Sequence, residues 1–397
     1  MHAENKPVIV VGAGPVGMVA AASLARHGVP VIVLESEPAL PLELRGSTFH
    51  APTLDMLEKL GAAAPMIAQG LVAPTMQYRD RNHGVIAEFD FGVLADDTSH
   101  PFRLQCEQFK LTRILADLFA STPGFSLRFG ATLETVTEHD DDVTITLTNN
   151  EQLTGAYLIG ADGAHSAVRR AMGVEFEGFT WPERFLVLST PFNFADIIPS
   201  LADVAYYADP DEWFFLLRVP GLWRAMFPVP AAVSDEQTQT NDYIRARLCR
   251  IVAGRENYEV RHRTLYRVHQ RVAKTFFQRR ILLAGDAAHV NNPLGGMGLN
   301  GGVHDAVNLA EKLARIWHGD ATPDRLAQYD RQRRGVTIEH VQRHTITNKQ
   351  NLEASDPASQ QAFRERLAAA AADPTAARDF LLGVSMINSL RRAAEIT

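Results

Sequence analysis

Cysteine is almost missing from this chain, with only Cys106 and Cys249 among 397 residues. Two thiols make neither a disulfide framework nor a metal site, and they read as packed thiols in a reducing compartment. A basic excess is missing too. The formal net charge is −7, and the pairs Arg169-Arg170, Arg279-Arg280 and Arg333-Arg334 are short and scattered, which argues against a general nucleic-acid binder. No apolar run approaches the length of a membrane span. The polar segment ahead of Pro7 does not read as a signal peptide, so a cytoplasmic protein is expected. No His-x-x-x-His pair encloses a carboxylate, and no metal is expected. Repeats and low-complexity tracts are absent as well.

What remains is an ordinary globular composition, 46% hydrophobic and 21% charged, with a chain long enough for two domains or for one with a large inserted sheet. Its information lies in three glycine-bearing elements. The first is Val8-Ile9-Val10-Val11 running into Gly12-Ala13-Gly14-Pro15-Val16-Gly17 and an Ala-rich helical pattern to about His27. A second apolar run, Val31 to Leu34, ends in Glu35, about twenty residues on, where a carboxylate accepts ribose hydroxyls. The second element is Leu158-Ile159-Gly160-Ala161-Asp162-Gly163. The third is Ile281-Leu282-Leu283-Ala284-Gly285-Asp286, followed by a loop through Asn292, Pro293, Leu294, Gly295, Gly296, Gly298, Leu299 and Asn300 and by helical spacing at Val303, Ala306, Leu309 and Leu313. Glycines allow close backbone approach to a ligand, and the helix starts that follow offer free N–H groups and a positive dipole end.

These elements together resemble the single-component FAD-dependent aromatic hydroxylases, the para-hydroxybenzoate hydroxylase-like flavoprotein monooxygenases, from about Lys6 to Leu313. The resemblance implies that the first motif binds the ADP half of FAD. The Asp162-Gly163 motif serves flavin and nicotinamide nucleotide, and Gly285-Asp286 holds the ribityl chain. It places Arg45 near the pyrophosphate, Gln108 at the start of a flavin-contacting helix, and His165 and Arg169 among the nicotinamide contacts. Pro293 falls beside the reactive edge of the flavin ring, with the backbone of Leu299 and Asn300 at its pyrimidine side. Two departures stand out. The family's double proline is Asn292-Pro293 here, and polar loop residues are replaced by Leu294 and Met297. His289 reads as structural rather than catalytic.

From about Trp181 to His269 the pattern turns β-like and aromatic, with strands expected at Arg184 to Phe194, Val204 to Ala208, Trp213 to Val219, Trp223 to Val229 and Arg261 to Val268, joined by Thr75 to Phe91. The expected fold is α/β. A discontinuous Rossmann-like FAD domain covers residues 1–74, 100–180 and 270–335 and carries an inserted, mostly antiparallel substrate sheet from 75–99 and 181–269, ahead of a helical region, 336–397. The apolar stripe Phe380, Leu381, Val384, Ile387 and Leu390 reads first as a helix packed on its own domain and second as a homodimer contact. The resemblance places a tyrosine at the pocket end of the aromatic strand, matched to Tyr207 as partner or base of a phenolic oxygen, and an arginine matched to Arg224 that touches the flavin. The expected pocket comprises Tyr207, Trp213, Phe215, Met226, Pro293, Leu294 and Gly295.

The implied activity consumes NADH or NADPH and O2 and hydroxylates a small hydroxy- or amino-substituted aromatic or N-heteroaromatic ring through a flavin C4a-hydroperoxide. Alternatives are a hydroxylase of polyketide, quinone or antibiotic scaffolds and a non-catalytic flavin protein that sequesters a ligand. A halogenase is disfavoured because the Trp-x-Trp-x-Ile-Pro signature is absent, and a plain nicotinamide dehydrogenase leaves the second and third motifs unexplained.

Overall fold

The computed structural model describes residues 6–42, 46–209, 212–252, 254–255, 257–354 and 356–397. All four residues of the run Val8–Val11 are buried, which suits a strand covered by helices on both faces. It lies inside a six-stranded sheet ordered Phe277–Gln278, Ile281–Leu283, Tyr157–Gly160, Val8–Val11, Val31–Leu34 and Phe125–Arg128. Its pairings are parallel apart from the edge pair Phe277–Gln278 with Ile281–Leu283. The three motif strands are therefore neighbours, and their glycine loops leave from the same carboxyl edge, where open α/β sheets bind ligands. Helices Pro15–Arg26 and Met297–Trp317 pack together over this sheet.

A second sheet has eight strands in the order His289–Val290, His262–Ala273, Phe176–Thr190, Leu222–Val229, Phe214–Val219, Val204–Tyr207, Thr75–Asp80 and Gly84–Asp90. It is antiparallel except where Val204–Tyr207 meets Thr75–Asp80. The third strand begins at Phe176, not Arg184, because two irregularities hide its period. Gly178 sits at φ +132° against the carbonyl of Gln270, and the register shifts between Thr180 and Arg184, around Pro182. Such kinks re-aim a strand without ending it.

Alternation along these strands divides their side chains between two cores. Leu186, Tyr207, Phe214, Leu216, Ala225 and Phe227 pack on one side with Ile244 and Leu248 of the helix Asn241–Cys249. Phe185, Tyr206, Trp213, Met226 and Val268 pack on the other with Leu294, Leu352, Phe363, Leu381, Val384 and Ile387. The C-terminal stripe is thus spent on the chain's own sheet, which removes the basis for reading it as a dimer contact. Asp97 fixes this arrangement by accepting from Arg378 at 2.7 Å and Arg391 at 2.5 Å. Among the described residues no helix is long and apolar enough to cross a membrane.

Candidate functional site

In the first motif each glycine meets a different need. A Cβ on Gly12 would fall 2.5 Å from the Ala161 carbonyl oxygen, and one on Gly17 would fall 1.9 Å from that of Gly12. Both positions are therefore closed to any other residue. Gly14 has nothing within 4 Å of such a Cβ and caps the helix that Pro15 opens. A tight turn followed by open space at a helix N-terminus fits a pyrophosphate. The Glu35 carboxylate turns back on this loop, accepting from the Ala13 N–H at 2.9 Å.

Val16 joins the first motif to the third. Its methyls lie 2.8 Å from a Cβ built on Gly285 and 2.5 Å from one built on Gly302. Below that contact, Asp305 accepts from the Gly285 N–H at 3.1 Å, from His289 Nε2 at 2.8 Å and from Arg333 Nε at 2.7 Å. Burial alone would raise the Asp305 pKa, but His289 and Arg333 reverse this and hold it at about 2. His289 is accordingly structural, as the sequence suggests. Along residues 281–290 only Asp286 is exposed, so the carboxylate assigned to the ribityl chain is the one the turn presents.

Asp162 Oδ2 accepts from the N–H groups of Ala167 at 2.6 Å and Val168 at 3.1 Å, while its buried Oδ1 has no hydrogen-bond partner among the described residues. Gly163 is left-handed at φ +78° with open space beside it. Arg169 donates to the carbonyls of Ala287 at 2.8 Å and Ala164 at 2.7 Å and lies 3.8 Å over the Phe176 ring. It ties the second motif to the third, a job distinct from the nicotinamide contact implied by the resemblance. His165 is exposed beside it.

The ring side of the site is built from segments far apart in sequence. Gly46 donates to Gln108 Oε1 at 3.3 Å, and a Cβ there would meet Leu299 at 3.2 Å. Ser47 Oγ accepts from Arg224 at 3.0 Å, which brings the eight-stranded sheet down onto the same loop. Burial lowers the Arg224 pKa, with Glu107 opposing. Arg45 lies outside the described residues. The Asn300 side chain donates to the Thr48 carbonyl at 2.9 Å and accepts from the His50 N–H at 2.8 Å, leaving its own backbone at the start of the Met297–Trp317 helix. Gly298 and Leu299 are half-buried on the same turn.

The departure at Asn292 has a structural answer. Its backbone N–H donates to Gln270 Oε1 at 3.1 Å, its Nδ2 to the Thr345 carbonyl at 3.0 Å, and its Oδ1 accepts from Leu294 at 3.1 Å. A side-chain amide anchored to roof and C-terminal helix does what a second proline would do by ring rigidity. Pro293 is exposed and Leu294 buried, so successive loop residues serve opposite sides, and Gly295 and Gly296, at φ +91° and +69°, complete the bend.

Tyr207 requires a correction. Its ring stacks on Phe214 at 4.3 Å within the outer core, whereas Leu294, the only loop residue of 292–296 in either core, belongs to the inner one. Burial also raises the Tyr207 pKa against the pull of Arg79, which makes it a poor base. Tyr206, one residue earlier and so on the opposite face, shares the inner side with Phe215 at 5.5 Å, Tyr78 at 5.3 Å and Met226. Trp213 is on the inner side as well. Its Nε1 donates to Glu353 at 3.3 Å, and it borders a cavity of about 330 Å³ whose lining includes no residue of 292–296.

Three further titratable groups escape the sequence reading. His50 Nε2 donates to the Gly295 carbonyl at 2.9 Å, and burial followed by the Arg103 charge lowers its pKa, keeping the ring neutral. His344 is held at about 4, again by burial and then Arg103. Tyr78 is pushed above the usual phenol range by burial. Each stands alone in sequence with no motif around it. Asp55, Glu58 and His100 come within ligand range of one another; Asp55 already accepts from Thr98 at 2.7 Å and His100 at 2.8 Å.

A dinucleotide cradle at adjoining parallel strands, roofed by a sheet with an apolar inner face, defines a flavoprotein of the hydroxylase type. The FAD binding domain family model matches residues 5–344, and the chain belongs to this family of FAD-dependent aromatic monooxygenases. It is 32% identical over 97% of its length to para-nitrophenol 4-monooxygenase of Pseudomonas sp. (strain WBC-3), covering 96% of that protein. To 6-hydroxy-3-succinoylpyridine 3-monooxygenase of Pseudomonas putida it is 31% identical, with coverage of 88% and 90%. Its fold matches the crystal structure of p-nitrophenol 4-monooxygenase from Pseudomonas putida DLL-E4 with a TM-score of 0.90 and 31% identity, over 98% of each chain.

Proposed function

We propose that this monooxygenase uses NADH or NADPH and O2 to hydroxylate a small substituted phenol or hydroxypyridine, in the cytoplasm. The observation that carries the small-substrate reading is the single buried core in which Leu294 of the flavin loop, the inner face of the roof and the C-terminal helices meet. A polyketide-sized scaffold would have to displace Leu352, Phe363 and Leu381 from that core. The relatives named for nitrophenol and a hydroxypyridine support the same ring class.

FAD, when bound, supplies the electrons that activate dioxygen and delivers an oxygen atom to the ring. Gly12, Gly14, Gly17 and Glu35 would hold its adenosine half, and Asp286, Gln108 and the backbone at Leu299 and Asn300 the flavin half. The chain's own part in the reaction is placement and enclosure. Tyr206, Phe215 and Met226 form the roof over the substrate ring, and Leu294 with the C-terminal helices excludes water. His50, neutral, braces the Gly295 carbonyl so that the loop keeps its shape while the substrate enters. Arg224 locks roof to loop through Ser47.

The test is oxidation of NADH and NADPH by the FAD-loaded protein across nitrophenols, hydroxybenzoates, hydroxypyridines and one polycyclic phenol, with mass spectrometry of the products. Stimulated oxidation with a product bearing one added oxygen, from small rings only, is expected. Turnover restricted to the polycyclic phenol would overturn the small-substrate reading.

A further inference from the structure

The cavity of about 330 Å³ beside Trp213 is large enough for a small molecule, yet no residue of the flavin loop 292–296 lines it. Its outer rim is exposed at Pro230 and Glu353, and its inner wall is Trp213 and Leu352, each only 3% exposed. These two side chains belong to the same buried core as Leu294 of the flavin loop. They therefore separate the cavity from the ring site.

Two elements run side by side from the cavity to the flavin loop. The helix Arg343–Glu353 carries Leu352 and Glu353 in its last turn. Seven residues earlier, about 10 Å along the helix, Thr345 accepts from Asn292 Nδ2 at 3.0 Å and from Gln270 Nε2 at 3.0 Å. The strand Leu222–Val229 carries Pro228 at the cavity. Four residues earlier, about 13 Å along the strand, Arg224 donates to Ser47 at 3.0 Å, next to Gly46, which packs against Leu299. Pro228, Met226 and Arg224 share one face by alternation, and Met226 lies in the inner core with Leu294. Helix and strand thus wall a short corridor, filled by apolar side chains, between the cavity and the ring site.

The inner wall is latched to the helix. Trp213 Nε1 donates to Glu353 at 3.3 Å. Glu353 is also paired with Lys349 one turn back, and Lys349 is paired in turn with Glu183 of the roof strand Phe176–Thr190. Lys349 is 1% exposed and stands 4.1 Å over the Trp181 ring. The Trp213 bond is the long one of this set and ends on an exposed carboxylate, so it breaks most readily while the Lys349 pairs keep helix and roof together.

We propose that the cavity is the outer chamber of the substrate's route to the flavin, and that Trp213 and Leu352 are its gate, held shut by the bond from Trp213 to Glu353. The inference rests on the hydroxylase reading above and adds the path by which the ring reaches that site. Closed, the gate keeps bulk water away from the flavin. Opening requires Trp213 to leave Glu353 and Leu352 to turn aside. A gate is crossed in both directions, so it sets the rates of entry and exit and leaves the binding equilibrium alone.

The test follows para-nitrophenol and 2-hydroxypyridine as they bind the oxidised, FAD-loaded protein, by stopped-flow flavin absorbance without nicotinamide. Pro230→Trp narrows the exposed rim and should slow association and dissociation alike, about tenfold, with the dissociation constant within about twofold of wild type. Trp213→Phe keeps an aromatic ring but drops the donor, and should speed both rates about three- to tenfold. Leu352→Ala should speed both as well and raise the hydrogen peroxide released per NAD(P)H oxidised. Wild-type rates in Pro230→Trp and Trp213→Phe would put the entrance elsewhere and overturn the proposal. A changed dissociation constant at an unchanged association rate also overturns it, because these side chains would then be contacts of the bound ring. Either outcome leaves the hydroxylase reading intact, since the ring still binds at the flavin. A wild type whose flavin responds to neither ring sinks that reading, and the passage with it.

Discussion

Replacing one hydroxyl by hydrogen at Tyr206 and then at Tyr207 separates the two faces of the roof sheet. Tyr206→Phe is expected to raise KM for a phenolic substrate about three- to tenfold, the size of one neutral hydrogen bond. Tyr207→Phe should leave KM and kcat within about twofold, since its ring is locked against Phe214 in the outer core. Steady-state kinetics on both variants check this, and the opposite ranking would restore Tyr207 to the pocket. The example shows where sequence reading stops. Gly12, Gly17 and Gly285 are legible because the backbone forbids any side chain there, a demand written at a single position. The phase of a strand is not local: alternation says that neighbouring tyrosines oppose each other, and only packing against Leu294 and the C-terminal helices says which one faces in. His50 was invisible for a related reason, since its meaning comes from Gly295, brought to it by a separate element.

Helices and loops carry a second expectation. Asp305, on the Met297–Trp317 helix, bonds the Gly285 turn, His289 and Arg333 of the helix Arg325–Val336, so one carboxylate holds the Gly285 turn against two helices. Asp305→Asn leaves Arg333 buried without its anion and should cost about 3–5 kcal/mol, seen as a lower denaturation midpoint and weaker FAD retention. The sign with pH follows from the lowered pKa. Its contribution is complete above the ordinary carboxylate value and is lost as pH falls toward about 2. The wild type should therefore lose this part of its stability only in strong acid, while the variant's deficit stays constant from neutral pH down to about 5. An Asp305→Asn protein as stable as the wild type at neutral pH would show that the turn is held by other means. The third motif was readable as a ligand turn from its glycines, but Arg333, which lies 28 residues beyond Asp305, gave no sign of belonging to it.

At the scale of the whole molecule, three glycine loops on one sheet edge, a roof sheet with an apolar underside and a C-terminal helical cover make a single enclosure for oxygen transfer. The order of the motifs along the chain made the shared parallel sheet of the three motif strands legible, because each loop must follow its own strand. The cover was less so, because an apolar stripe on a helix does not state what it packs against. The most direct measurement supplies isotopically heavy dioxygen to the FAD-loaded protein with NAD(P)H and para-nitrophenol or a hydroxypyridine, and weighs the product. One heavy oxygen atom on the ring, drawn from the gas and not from water, is the expected result. Nicotinamide oxidation that yields only labelled hydrogen peroxide, with every ring in the panel returned unchanged, would contradict the account.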